Sequence, residues 1–394
     1  MKQNKSIKES SDNEKLIYLL ILFIFFNVFY TPIFRENFTF CNDINPINLS
    51  VYNNFITNNA IYLKIIIFFY ILYNRDYIFD SFKDLFIIHL FCAYLFFQSL
   101  VTINTGTQII NLLNSLLFIY FIFISTNKNY LFLFIKYTSF FLLFIIILST
   151  FFSFFYELKF LITKCYMGGF FGLEKTINIS GLTTHKNSLG AYIFVSNFLL
   201  IYYHEYFKLN PTIKAFILLI SILLLFYIDS ITSLLLTIII TISFFTKKNK
   251  AFFTLTLIAL ITFLFFNFEN FLNYFGRNPS LSGRLYMWES ILSELQSISI
   301  FGMGIASYNF PIDSSYIIIF LECGILFAFI YFIWIAVQFF KSFVMSRKID
   351  NSIIFLAILL YSITEGIGVF YSTNIVILVM FTTYFKKLNE KEIS

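Results

Sequence analysis

The chain has 394 residues, 59% of them hydrophobic and only 12% charged, with a mean hydropathy of +0.82. A water-soluble fold needs far more polar surface, so these values point to a polytopic membrane protein. The net charge of +6 fits the lysines that one membrane face requires and gives no reason to expect nucleic acid as a partner.

About 20 apolar residues cross the hydrocarbon core of a bilayer. Runs of this kind are predicted over 16–34, 55–73, 84–101, 108–125, 130–153, 188–203, 214–229, 231–246, 251–267, 315–340, 350–365 and 370–385. The basic segment 1–15 leads into the first run without a small-residue cleavage site, so that run reads as a signal anchor. Twelve runs put both termini on one side, and Lys and Arg then favour that side by about 18 to 7. The termini are therefore expected in the cytoplasm. Omitting one run would invert everything after it and spread the lysines evenly.

The fold expected is all-α: a polytopic integral membrane protein with about 12 transmembrane helices, in a single domain over residues 1–394. No internal repeat and no Pro/Gly linker divides it. Three segments then face the outside: 35–54, a medium loop over 154–187, and a long loop over 268–314. Cys41 and Cys165 share that side, which leaves a disulfide between them open, and no cysteine spacing suits a metal. The inner-loop lysines, Lys214 among them, read as solvated topology determinants. His89 reads as a packed residue, and Lys64 as a side chain reaching for the interface.

The chemistry-bearing residues gather at outer helix ends, and ionisable groups beside a membrane are costly to keep. In order they begin with Gly181-Leu182-Thr183-Thr184-His185-Lys186-Asn187-Ser188-Leu189-Gly190. His185 exchanges protons near neutral pH, Lys186 offers a cation to an anionic group, and Asn187 donates and accepts. A capping loop alone does not call for His-Lys-Asn together. Asp229 precedes Ser230-Ile231-Thr232-Ser233 at the next outer end.

Within the long loop, residues 282–296 are predicted to form a short amphipathic helix, with Leu285, Trp288, Leu292 and Leu295 on one face. Arg284 stands at its N-terminal end, after Ser282-Gly283. A guanidinium beside free backbone N–H groups suits phosphate oxygens. Gly302-Met303-Gly304 is too short to cradle a phosphate alone and reads as a turn. Asp313-Ser314-Ser315-Tyr316 returns the chain to the membrane, where Asp313 serves either as an N-cap or as an acceptor able to orient or deprotonate a sugar hydroxyl. Glu322 lies seven residues after Ser315, on the same helical face and about 10 Å deeper.

This succession resembles the O-antigen ligase/polymerase superfamily of bacterial membrane glycosyltransferases. The residues that carry the likeness are His-Lys-Asn-x-Leu-Gly at 185–190, Ser-Gly-Arg before Trp288, Gly-x-Gly at 302–304, Asp313 before Ser-x-Tyr, and Glu-x-Gly at 322–324. It covers residues 180–330. The earlier runs match only in hydropathy.

The resemblance implies an undecaprenyl-diphosphate-linked oligosaccharide as donor, an acceptor glycan, and an active site on the outer face of a bacterial cytoplasmic membrane. It implies catalytic roles for His185, Arg284 and Asp313, and substrate contacts from Lys186, Asn187, Arg277, Tyr316 and Glu322. Membrane lipids, a chain-length regulator and a flippase are the partners to expect. Neither a cofactor nor a metal is called for, because a lipid diphosphate is already an activated leaving group.

Ligases of the family usually carry His where this chain has Asp313, and the family's Ser-Arg near the eighth run appears here without Arg. Both departures favour a polymerase of O-antigen, capsule or exopolysaccharide. Three rivals remain: an O-antigen ligase that moves finished glycan onto lipid A core or protein, an oligosaccharide transporter or flippase of about twelve spans, and a non-catalytic polysaccharide-assembly or sensor protein.

Overall fold

The computed structural model describes residues 50–73, 86–100, 105–127, 131–154, 163–166, 176–179, 186–203, 209–228, 230–245, 300–304 and 314–345, with isolated positions between and beyond these stretches. Eight helices account for most of them. They are α1 (Ser50–Tyr73), α2 (Phe86–Ser99), α3 (Thr105–Asn127), α4 (Leu131–Phe154), α5 (Lys186–Tyr202), α6 (Pro211–Tyr227), α7 (Ile231–Phe245) and α8 (Ser315–Met345). Each coincides with one of the apolar runs, often to within a residue or two. Apart from isolated positions, the first, ninth and eleventh runs and most of the loop 268–314 lie outside the described residues, as does the whole twelfth run.

One element departs from the expected all-α architecture. Within the loop 154–187, β1 (Thr163–Tyr166) pairs antiparallel with β2 (Thr176–Ile179), Cys165 facing Ile177. Apolar-run reasoning reads only spans, so a short polar ribbon between two of them escapes it.

The helix starts follow from local chemistry. Asn210 caps α6, its side chain accepting from the Thr212 amide at 3.0 Å, and Pro211 follows where a missing N–H costs nothing. Ser230 and Ser314 hold the equivalent position before α7 and α8, their carbonyls accepting the first helical bond from Leu234 at 2.9 Å and from Ile318 at 3.0 Å.

These helices are apolar nearly all round. On α4, Phe140, Phe144, Ile147 and Phe151 are exposed at helical spacing, and on α6 so are Phe216, Leu219, Leu223 and Phe226. The face of an amphipathic helix that looks outward in a soluble protein would carry charged residues there. Among the described residues, Ser315–Trp334 is long and apolar enough to cross a membrane, by length and composition.

Two compact units emerge. The first comprises Met1–Ser81, Leu117–Leu234 and Phe381–Ser394; the second comprises Phe82–Leu116 and Leu235–Met380. In the first unit α5 is the central element, packing against both α4 and α6. Every residue from Leu189 to Leu200 is buried, which is why this helix shows no apolar stripe: it has no outward face. In the second unit α2 packs against α8. Phe91 meets Phe327 and Tyr331 edge-on at 5.7 Å each, and Tyr94 stacks on Phe327 at 3.6 Å.

Lys214 departs from its expected solvation. It is buried in the first turn of α6, where its four-carbon stem adds to the apolar packing.

Candidate functional site

Four of the expected site residues, His185, Arg277, Arg284 and Asp313, lie outside the described residues. Of the remaining four, Lys186, Asn187 and Tyr316 fall on two helix starts, and Glu322 lies two turns into the second. Lys186 is the first residue of α5 and Asn187 the second, with Asn187 partly exposed. Tyr316 stands in the first turn of α8, partly buried, its ring 5.4 Å from that of Phe332.

Glu322 is 2% exposed, two turns beyond Ser315, itself 1% exposed. Ser315, Ile318, Ile319 and Glu322 form one buried stripe at 3–4-residue spacing, as the sequence predicts. A buried carboxylate is tolerated only with partners, because its desolvation costs several kcal/mol. The N-cap position of α8 belongs to Ser314, so Asp313 is not needed as the cap.

Close approach explains Gly190. A Cβ there would lie 2.1 Å from Ser230 Oγ and 2.8 Å from Ser233 Oγ, so only hydrogen at this position lets α5 and the start of α7 touch. Deeper along α5, Asn197 is 1% exposed, and the Ser221 hydroxyl lies 3.0 Å from its Oδ1 and 2.8 Å from the Ile217 carbonyl.

The second unit holds a feature that hydropathy does not foreshadow. Helix α8 is broken at Gly324, where φ is 77° and ψ is 172°. In an unbroken helix the carbonyls of Leu321 and Glu322 accept from amides four residues on. Here donors come from a different segment: Met303 N–H reaches the Leu321 carbonyl at 2.7 Å, and Gly304 N–H reaches that of Glu322 at 3.1 Å. Gly302 and Gly304 both have positive φ, 75° and 93°, so Gly-Met-Gly is more than a turn. It is a main-chain plug in the break of α8, supplying amide donors to carbonyls beside the break.

The plug is held from α2 as well. The Phe301 carbonyl accepts from Tyr94 Oη and from Gln98 Nε2, the latter at 2.6 Å. Gln98 follows Tyr94 by one helical turn, so both donors point the same way. Among the described residues the other amide atom, Gln98 Oε1, is buried without a hydrogen-bond partner.

Sequence reasoning missed Tyr94, Gln98 and the break at Gly324. A signal existed for two of them: a Gln inside an apolar run, and a Gly beside a Glu in mid-span, both expensive unless used.

Of the amphipathic helix expected over 282–296, Trp288, Glu289 and Ile291 are described, and all three are helical. Glu289 is exposed while Ile291 is 3% exposed, which adds Ile291 to the apolar face. Among the described residues no cluster of His, Cys, Asp and Glu could hold a metal ion. No family model, no curated protein and no solved structure matches the chain.

Proposed function

We propose that the chain is a polytopic membrane protein of about twelve spans that polymerises lipid-linked oligosaccharide repeat units into a surface polysaccharide. The observation that carries this reading is Glu322. A carboxylate 2% exposed, in a helix apolar enough to cross a membrane, is kept at a cost that packing alone does not repay. It stands two turns below the Ser-x-Tyr segment, on the buried face that carries Ser315. The outward apolar faces of α4 and α6 support the membrane setting.

In this mechanism Arg284, with Lys186 and Arg277, binds the donor diphosphate and stabilises the charge that builds as it leaves. The acceptor hydroxyl oxygen bonds to the anomeric carbon of the donor sugar. The bond from that carbon to the diphosphate oxygen breaks, and its electron pair leaves with undecaprenyl diphosphate. His185 or Asp313 takes the proton of the attacking hydroxyl. Asn187, Tyr316 and Glu322 orient the sugars.

The test is reconstitution. Purified protein in liposomes, given lipid-linked repeat units, is expected to yield products extended by whole repeats, with free undecaprenyl diphosphate released. Lipid-linked substrate recovered unchanged in length would contradict the reading.

A second reading has one observation in its favour. The break of α8 at Gly324 is the kind of discontinuity that transporters place at a midplane site. A flippase would move labelled lipid-linked repeats across the liposome without lengthening them.

A further inference from the structure

We propose that Tyr94 and Gln98 are positioning residues for glycan transfer. They clamp the Phe301 carbonyl and so seat the plug Phe301–Gly304 in the break of α8. This rests on the polymerase reading, and it assigns a task to α2, which none of the recognised motifs touches.

The geometry gives the reason. The plug belongs to the long loop 268–314, between Arg284 and Asp313 in sequence. It is tied to α8 by two main-chain bonds, at 2.7 Å and 3.1 Å, and to α2 by two side-chain donors on one carbonyl oxygen. The main-chain bonds set the depth of the plug, because they end on Leu321 and Glu322. The donors from α2 hold its outer edge: Phe301 itself is 59% exposed, so packing of its ring does not secure it.

Tyr94 is fixed in turn by its stack on Phe327, beyond the break, so its hydroxyl is presented at a set position. Among the described residues Gln98 Oε1 is buried without a partner while Nε2 makes the bond, a cost that a space-filling residue would not carry. One of the plug's bonds ends on the Glu322 carbonyl, so seating the plug fixes the main chain of α8 at the carboxylate that the polymerase reading assigns to the sugars.

Two variants isolate the clamp. Tyr94→Phe keeps the ring stack and removes only the donor, and Gln98→Leu keeps the bulk and removes the amide. Cys323 reports on the plug, because it is 0% exposed and lies where the plug covers α8. In a Cys41→Ser/Cys92→Ser/Cys165→Ser background, labelling of Cys323 by a membrane-permeant maleimide is read by mass spectrometry, with Ser196→Cys, at a buried position of α5 in the first unit, as the internal standard.

The double variant is expected to label at Cys323 about tenfold faster than its parent, two lost hydrogen bonds' worth, with the α5 standard unchanged. The single Tyr94→Phe variant should move in the same direction by a smaller factor. In the liposome assay the double variant should lose about tenfold in kcat with KM for the lipid-linked donor unchanged. A purely structural role would leave kcat per folded molecule intact.

Cys323 as protected as in the parent, or the α5 standard labelling in step with it, overturns the clamp. Faster Cys323 labelling with an unaltered kcat overturns the positioning role. Failure of the parent protein itself to extend repeats sinks the polymerase reading and the positioning role with it, while the Cys323 result still decides whether the clamp exists.

Discussion

Gly302 and Gly324 meet backbone to backbone: a Cβ added to either would lie 2.4 Å from the amide nitrogen of the other. Both have positive φ, 75° and 77°, so each position rejects a side chain on conformational grounds as well as for want of space. Gly302→Ala and Gly324→Ala should each destabilise the fold by about 2–4 kcal/mol, combining a left-handed backbone cost with overpacking against main chain. Thermal unfolding in detergent, with proteolysis as a second probe, measures this. Wild-type melting for either variant would mean that the two segments do not touch.

A second glycine depends on side chains that can be removed. Gly190→Ala places its methyl 2.1 Å from Ser230 Oγ and should cost about 1–3 kcal/mol as overpacking. Ser230→Gly in the same chain should restore much of that stability, because it vacates the offending atoms. The remainder reflects Ser233 Oγ, 2.8 Å away. The same double-mutant melting experiment reads the coupling.

Asn197 and Ser221 join α5 to α6 through a buried polar contact of 3.0 Å. Ser221→Ala should cost about 1 kcal/mol, and Asn197→Leu more, since the amide is the less replaceable partner in shape. Their coupling energy should be about 0.5–1.5 kcal/mol, the range for hydrogen bonds between helices in an apolar medium. Additive losses would show that the two residues act independently.

Much of this architecture is legible in composition alone. The run expected over 130–153 is α4 at Leu131–Phe154, and that over 231–246 is α7 at Ile231–Phe245. Hydrophobic length is the dominant physical term there, and it is local. The stripe from Ser315 to Glu322 was readable for the same reason, because seven residues make two turns.

What escaped depends on contacts distant in sequence or on single dihedral angles. Hydropathy averages over a window and does not register Gly324, whose φ of 77° interrupts a run that stays apolar on both sides. Tyr94 meets Phe301 across 207 residues, with no periodic signal to link them. The β1–β2 ribbon is too short and polar to disturb the pattern of spans. His185, Arg284 and Asp313 rest on motif order alone, and they lie outside the described residues.

Topology is open to a direct check. With Cys41 and Cys165 replaced by Ser, Thr184→Cys and Ser282→Cys should react with a membrane-impermeant maleimide on spheroplasts, and Lys248→Cys only after lysis. Protection of either polar segment would place the proposed chemistry on the wrong face.

The glycan itself gives the most direct measurement. A strain lacking this gene, complemented with wild type or with Arg284→Ala, is analysed for surface polysaccharide on a gel. The wild type should restore a ladder of repeat lengths, while Arg284→Ala, inserted at normal levels, should leave single-repeat products only. A normal ladder from Arg284→Ala would contradict its role in binding the donor diphosphate. Full-length glycan stranded on the carrier lipid of the deletion strain would contradict polymerisation and indicate a ligase.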